Sequence, residues 1–287
     1  MPRIVYINGQ YQRWSEAAVH AEDRGFQFGD AVYEVCEVRG GRLIDEPRHM
    51  QRLSRSLREL AIAEPMSAAA LGRVLRETIR RNRVTDGSVY LQVSRGVRPR
   101  DFLFSDATGM APTVVVIARS VTAAKRDAGA KGIAVKTMPD MRWGRCDIKT
   151  VMLLPASLAK ESAKSIGAKE AWLVDEHGFV TEGASSNAWI IDKDGNLITR
   201  ACDFDILRGV TRTTLIDLLK REGLTLVERP FSVAEAKSAR EAFVTSATAL
   251  VTPVIRIDDS PIGNGEPGLT ASRLRDMFHS AAAVAAA

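Results

Sequence analysis

Two short segments carry residue types suited to amine and carbonyl chemistry. The first, Arg145-Cys-Asp-Ile-Lys149, sets a lysine after an isoleucine and ahead of the apolar run Val151-Met-Leu-Leu154. A lysine among apolar neighbours either snorkels its head to water or is kept desolvated as a nucleophilic amine. The second, Thr181-Glu182-Gly-Ala-Ser-Ser-Asn187, runs from a glutamate at the end of an expected strand into small residues, which let backbone pass close to a ligand. Taken singly, each of Lys149 and Glu182 reads as an ordinary surface charge. The local pattern favours neither reading by much.

Other devices are missing. No GxGxxG opens a βαβ unit, and there is neither a phosphate-binding GxxxxGK[ST] loop nor a GxSxG elbow. The four histidines never fall at metal-ligand spacing, so no metal site is expected. Gly263-Asn-Gly265 reads as a turn. Cys36, Cys146 and Cys202 are odd in number, widely spaced and without a CxxC pair, as in a reducing compartment. The formal net charge is +5, but basic residues are scattered beside acids (Lys160-Glu161, Arg221-Glu222, Arg240-Glu241) and aromatics are only 6%. That balance describes a solvated mixed surface and no nucleic-acid partner. The N-terminal residues lack an apolar signal core and no run could span a bilayer, so no membrane association is expected and the cytoplasm is the expected location.

Positioning these residues falls to alternating strands and helices, an α/β (α+β) pattern in a chain of 287 residues, long enough for two modest domains. Residues 1–120 form a smaller N-terminal domain, 121–132 a link rich in Ala, Lys and Gly, and 133–287 a larger domain. In the first, Ile4–Ile7 and Val32–Val38 read as strands, with Tyr33, Val35 and Glu37 on one face of the second. A helix begins at Pro47 with Met50, Leu53, Leu57 and Leu60 inward, and another follows Ser67. Val89–Val93 alternates as a strand, and Val114–Ile117 reads as fully buried. In the larger domain, Ile133–Thr137 is a strand and Met152–Ile166 a helix with Pro155 in its first turn or at a break. A hairpin joins Ala188–Ile191 to Leu197–Thr199 through Asp194-Gly195. Thr211–Glu222 is a helix closed by Gly223, and Ser232-Val-Ala-Glu235 a capping box. The residues from Ala281 to Ala287 form an Ala-rich tail.

Five motifs in order resemble the fold-type IV pyridoxal-phosphate enzymes, most closely the bacterial D-amino acid (D-alanine) aminotransferases. They are Glu22-Asp-Arg-Gly-Phe-Gln-Phe-Gly-Asp30 with Val32-Tyr-Glu-Val35, Arg142-Trp-Gly-Arg-Cys-Asp-Ile-Lys149, Val180-Thr-Glu-Gly-Ala-Ser-Ser-Asn187, Leu207-Arg-Gly-Val-Thr-Arg212 and Phe243-Val-Thr-Ser246. The likeness runs from about Ile4 to Phe278. It implies a two-domain fold and a pyridoxal 5'-phosphate cofactor held as an imine on Lys149, which then shuttles a proton between substrate Cα and cofactor C4′. It implies that Glu182 pairs with the pyridine nitrogen, so that the ring accepts electrons. Arg52 would bind the phosphate, with the backbone amides of Val210 and Thr211 at a helix N-terminus, the Thr211 hydroxyl, and Ser246 as a further contact there. By themselves, Arg52 reads as a solvated helix arginine, Thr211 as an N-cap and Tyr33 as core.

The resemblance further implies that an Arg-x-His segment and a tyrosine hold the substrate carboxylate, the former from the neighbouring subunit of a homodimer. Here the segment is Arg98-Pro-Arg100-Asp-Phe102: Arg100 and Tyr33 match, but Phe102 stands where histidine is usual. Glu37 is acidic where the nearest relatives can carry a basic residue. The expected partners are amino acids and 2-oxo acids, and the expected reaction is D-alanine plus 2-oxoglutarate giving pyruvate plus D-glutamate. Siblings on the same scaffold are branched-chain L-amino acid transaminases, (R)-amine transaminases and aminodeoxychorismate lyases. A reading from another class is a silent, basic binding protein that keeps the scaffold.

Overall fold

A computed structural model describes residues 3–103 and 110–282; the last five residues of the Ala-rich tail lie outside them. The chain divides into two compact units. The first comprises residues up to Thr122 together with Ile148–Met152, and the second Ala123–Asp147 and Leu153–Ala282.

The first unit contains β1 (Ile4–Ile7), β2 (Gln10–Arg13), α1 (Arg24–Phe28), β3 (Ala31–Arg39), β4 (Arg42–Leu43), α2 (Glu46–Glu59), α3 (Ala68–Arg81), β5 (Gly87–Ser94) and β6 (Thr113–Ser120). Its six strands form an antiparallel sheet in the order β2-β1-β6-β5-β3-β4. The period-2 pattern sends Val32, Cys36 and Val38 of β3, Val89, Leu91 and Val93 of β5, and Val114 and Val116 of β6 to one face. There they meet Leu53 and Leu57 of α2 and Leu71, Leu75 and Ile79 of α3. β6 is therefore buried on one face only, since Val115 and Ile117 are half-buried; its unbroken apolar composition hides an alternation. Pro47 lies in the first turn of α2, and the Ser67 hydroxyl caps α3 by accepting the Ala70 N–H. Both follow the helix-start chemistry expected of those residues.

The second unit contains α4 (Ala123–Asp127), a 3-10 turn over Ala128–Lys131, β7 (Ile133–Pro139), α5 (Leu154–Lys164), β8 (Glu170–Val174), β9 (Val180–Gly183), β10 (Asn187–Ile191), β11 (Leu197–Thr199), α6 (Val210–Arg221), β12 (Leu226–Glu228), α7 (Val233–Ser238), β13 (Glu241–Ser246), β14 (Leu250–Ile257), β15 (Ser260–Pro261) and α8 (Leu269–Ala281). The sheet order is β12-β11-β10-β13-β14-β7-β8-β9, with β15 beside β14. Edge strand β9 is joined to interior strand β10 by residues 184–186 alone. Four residue steps reach about 14 Å, whereas five strand spacings across a flat sheet need about 24 Å. The sheet must curl to close that difference, and the curl sets Glu182 of β9 beside Asn187 of β10.

Both faces of this sheet are covered, which explains its nearly continuous apolar strands. One face carries Trp172, Val180, Ile190, Val244 and Phe231, and the other packs Trp189, Ile191 and Phe243 on Leu215, Leu218 and Leu219 of α6 and Leu274 of α8. Each such fully buried large side chain contributes about 1.5–3 kcal/mol from removal of apolar surface from water.

Candidate active site

In the first unit, β3 presents different chemistry on its two faces. Tyr33 is half-buried and lies opposite the helices, so it is not part of the apolar core. Its ring meets that of Tyr90 on β5 at 5.7 Å between centroids. The Tyr90 hydroxyl donates to Gln92 Oε1 at 2.6 Å, and burial, followed by the neighbouring Tyr33, pushes its pKa up to about 12.

Lys149 stands on this surface. The Tyr33 N–H donates to the Lys149 carbonyl (3.0 Å) and the Val151 N–H to that of Ala31 (3.1 Å), so the lysine's segment forms an isolated antiparallel bridge, Thr150 to Val32, beside the start of β3. Ile148 anchors it in the core behind. Lys149 is half-buried, its Nζ lies 4.2 Å from the Tyr33 ring centroid, and it has no ion pair among the described residues. A half-buried ammonium usually finds a carboxylate; here an aromatic face takes that place.

On the helix face of the same strand, Glu34 is buried and accepts from Arg52 Nε and Nη2, each at 2.7 Å, and meets His49 Nδ1 at 2.7 Å. Burial acts to raise its pKa, but the Arg52 charge and hydrogen bonds, then His49, outweigh it and hold the carboxyl at about 2. Arg52, with its side chain 10% exposed, is thus a bidentately clamped guanidinium and not a solvated helix arginine. Arg100 lies on the arm between β5 and β6. It is exposed, with its guanidinium carbon 4.7 Å from the Phe28 ring centroid.

In the second unit the buried Glu182 carboxylate is shared by three donors. Arg142 Nη1 donates to Oε1, while Asn187 Nδ2 (2.9 Å) and the Leu207 N–H (3.1 Å) donate to Oε2. Asp140 fixes Arg142, accepting from its Nε at 2.9 Å and Nη2 at 2.7 Å, and also takes the Thr181 hydroxyl at 2.7 Å. Burial works against charge on both sides of this pair, yet Asp140 is held below and Arg142 above the ordinary value because each stabilises the other's ion.

Asn187 also donates to the Leu207 carbonyl at 2.9 Å, which ties Glu182 to the segment leading into α6. At the start of α6 the N-cap is Gly209, which offers no side-chain oxygen to the first amides. Val210 and Thr211 are buried there, and first-turn amides have no acceptor within the helix, so a helix N-terminus with spare donor capacity lies close to the carboxylate network. A Cβ on Gly209 would meet Asn187 Oδ1 at 2.1 Å, so only glycine leaves room for this approach. Ser246 ends β13, and its hydroxyl accepts the Ala249 N–H in the following turn.

The geometry therefore gathers Tyr33 with Lys149, clamps Arg52 nearby on the same strand's other face, and links Glu182 to Val210 and Thr211. Ser246 shares no hydrogen bond with those residues. Sequence reasoning gave no role to Glu34, His49, Asp140, Arg142 or Asn187. For Glu34 on β3 and Asn187 on β10 the available signal was a polar residue at an inward strand position, which is costly unless paired; His49, on α2, and Asp140 and Arg142, in the loop after β7, carried no such signal.

The model of the amino-transferase class IV family matches residues 31–257. A D-alanine aminotransferase of Bacillus licheniformis is 39% identical over 264 residues, covering 92% of each chain, and one of Staphylococcus haemolyticus is 37% identical over 276 residues, covering 96% of each. The chain belongs to the class IV aminotransferases.

A solved structure, a branched-chain amino acid aminotransferase of T.th. with pyridoxamine 5'-phosphate, superposes with a TM-score of 0.87 at 25% identity, over 97% of this chain and 93% of its own. The Escherichia coli branched-chain enzyme does so with 0.86 at 24% identity, over 98% and 94%. The expected fold-type IV architecture thus holds for this class IV aminotransferase. Among the described residues, no helix is long and apolar enough to cross a membrane.

Proposed function

We propose that this chain is a pyridoxal-phosphate transaminase of D-amino acids, converting D-alanine and 2-oxoglutarate to pyruvate and D-glutamate. One observation carries the reading: Lys149 offers a half-buried amine on an aromatic face, with no carboxylate to hold it as an ion pair among the described residues. The choice of D-amino acids is supported by the D-alanine aminotransferases that match at 35–39% identity over nearly the whole chain.

The residues present fit the cofactor. A buried carboxylate oriented by three donors suits a pyridinium nitrogen, while a helix N-terminus without a side-chain cap and a clamped guanidinium suit a phosphate. When bound, pyridoxal phosphate supplies an aldehyde and an electron-accepting ring. Lys149 would hold the cofactor through its Nζ and would serve as the base that takes the proton from the substrate Cα. Glu182 keeps the ring nitrogen protonated, and Arg142, locked by Asp140, keeps Glu182 in place. Arg52, the Val210 and Thr211 amides and the Thr211 hydroxyl bind the phosphate, with Ser246 adding a further contact. Tyr33 and Arg100 hold the substrate carboxylate, with Arg100 serving the other subunit of a homodimer. Phe102 and Leu103 beside it are 80% and 68% exposed, apolar surface of the kind a second copy covers.

The test is a half-reaction screen of the cofactor-loaded protein. D-alanine should shift the visible absorbance, 2-oxoglutarate should restore it, and L-alanine should do neither. A shift with L-leucine or L-valine alone would replace this reading by the branched-chain one, and pyruvate released without an acceptor would replace it by a lyase. An active monomer in sedimentation would remove the cross-subunit role of Arg100.

A further inference from the structure

The arm carrying Arg100 is fastened at several points within the first unit. Arg24 donates its N–H to the Gly96 carbonyl at 2.9 Å and its Nη1 to the Asp101 carbonyl at 2.6 Å. The Arg98 N–H reaches the Glu22 carbonyl at 3.3 Å, and residues 23 and 97 form an isolated bridge. Arg24 is itself buried and held by Asp30 (Nε to Oδ2, 2.8 Å), which also takes Arg95. Asp23 starts α1 by accepting the Gly25 N–H, and Gly29 ends it at φ 69, a left-handed cap. Together these bonds give Asp23, Arg24, Gly29 and Asp30 of the motif their roles and fix the backbone that carries Phe28.

Phe28 then carries three aromatic or cationic neighbours. The guanidinium carbon of Arg24 lies 4.4 Å from its centroid, that of Arg100 lies 4.7 Å away, and the Phe102 ring meets it edge-on at 5.7 Å and 68°. Arg100 has no hydrogen bond or ion pair among the described residues. The aromatic contact is therefore its one restraint among those residues, and it leaves all five N–H donors available.

We propose that Phe28, buttressed by Phe102, is the positioning platform that presents the Arg100 guanidinium to the substrate carboxylate. This rests on the reading of Arg100 given above. Phe102 is then more than a missing histidine: in this chain the second polar donor is replaced by an aromatic support for the first. The restraint lowers the rotamer freedom Arg100 must give up on binding. It predicts selectivity through the carboxylate alone, with no contribution to the proton transfer at Lys149.

The experiment compares Phe28→Leu, Phe28→Tyr, Phe102→Ala and Arg100→Ala in the cofactor-loaded enzyme, with D-alanine and with a carboxylate-free probe, (R)-1-phenylethylamine. Phe28→Leu should raise KM for D-alanine roughly fivefold, about what one exposed cation–π contact carries, with kcat, cofactor absorbance and the amine probe unchanged. The dissociation constant of propionate, measured by calorimetry, should rise by the same factor. Phe28→Tyr should restore KM, and Phe102→Ala should move it in the same direction, roughly twofold. Because Phe102 is 80% exposed, that variant reports even if Phe28→Leu misfolds. If Arg100→Ala raises KM more than about tenfold while Phe28→Leu and Phe102→Ala leave it unchanged, the platform is refuted and Arg100's role stands. If Arg100→Ala itself has no effect, the reading of Arg100 falls and the platform with it.

Discussion

Glu34→Gln removes a charge that holds together strand β3 and helix α2 of the first unit. The carboxylate accepts two hydrogen bonds from Arg52 and meets His49, and its pKa stands at about 2 against an ordinary 4.5. That difference corresponds to roughly 3 kcal/mol favouring the folded state. Because the folded value is depressed, the stabilisation is complete above pH 4.5 and is lost as pH falls through the interval toward 2. Independently, removing one partner of a buried pair costs about 3–5 kcal/mol, because the other ion is left without its counter-charge. The two magnitudes agree. At pH 7 the variant should lose about 3 kcal/mol in urea denaturation followed by circular dichroism. Hydrogen exchange should place the loss in β3 and α2. Between about pH 4.5 and 3, the wild-type stability should fall faster than the variant's. A loss below about 1 kcal/mol at pH 7, or parallel pH profiles for the two proteins, would refute the reasoning.

Two further outcomes follow from the second unit. Gly209→Ala should weaken cofactor affinity at least about tenfold, since the new methyl must displace the Asn187 amide from Glu182; equilibrium dialysis reads this, and unchanged affinity would remove the glycine's role. Burial, with the neighbouring Glu182, Asp140 and Asp205, pushes the Cys146 thiol up to about 12 against an ordinary 9.0, although Arg142 opposes this. Its alkylation at pH 8 should therefore run roughly a thousandfold slower than that of a free thiol, and a rate within about tenfold would contradict the assigned environment.

Local features were legible in the sequence where local physics decides them. Pro47, Ser67 and Ser232 mark helix starts, and the hairpin of β10 and β11 follows its turn residues. The alternation along β3 put Tyr33, Val35 and Glu37 on one face, as found. Less legible was anything requiring a distant partner. Glu34 looks like any acidic residue in a strand until α2 brings Arg52 against it, 18 residues later. Arg142 and Glu182 are 40 residues apart and meet because β9 folds back antiparallel on β8, which itself pairs with β7, so that β9 lies near the chain that follows β7. Likewise β6 reads as buried on both faces because periodicity vanishes when every residue is apolar. Lys149 sits within the sequence of the second unit, yet its backbone pairs with β3 of the first, a placement that no local pattern encodes.

Borohydride trapping shows which amine does the chemistry. The protein, saturated with pyridoxal phosphate, reduced and digested, should yield one modified peptide, with the cofactor attached at Lys149. Lys149→Ala should abolish that adduct and the activity with it. A reduced adduct mapping to a different lysine, or a protein that takes up no cofactor at saturation, would contradict the account.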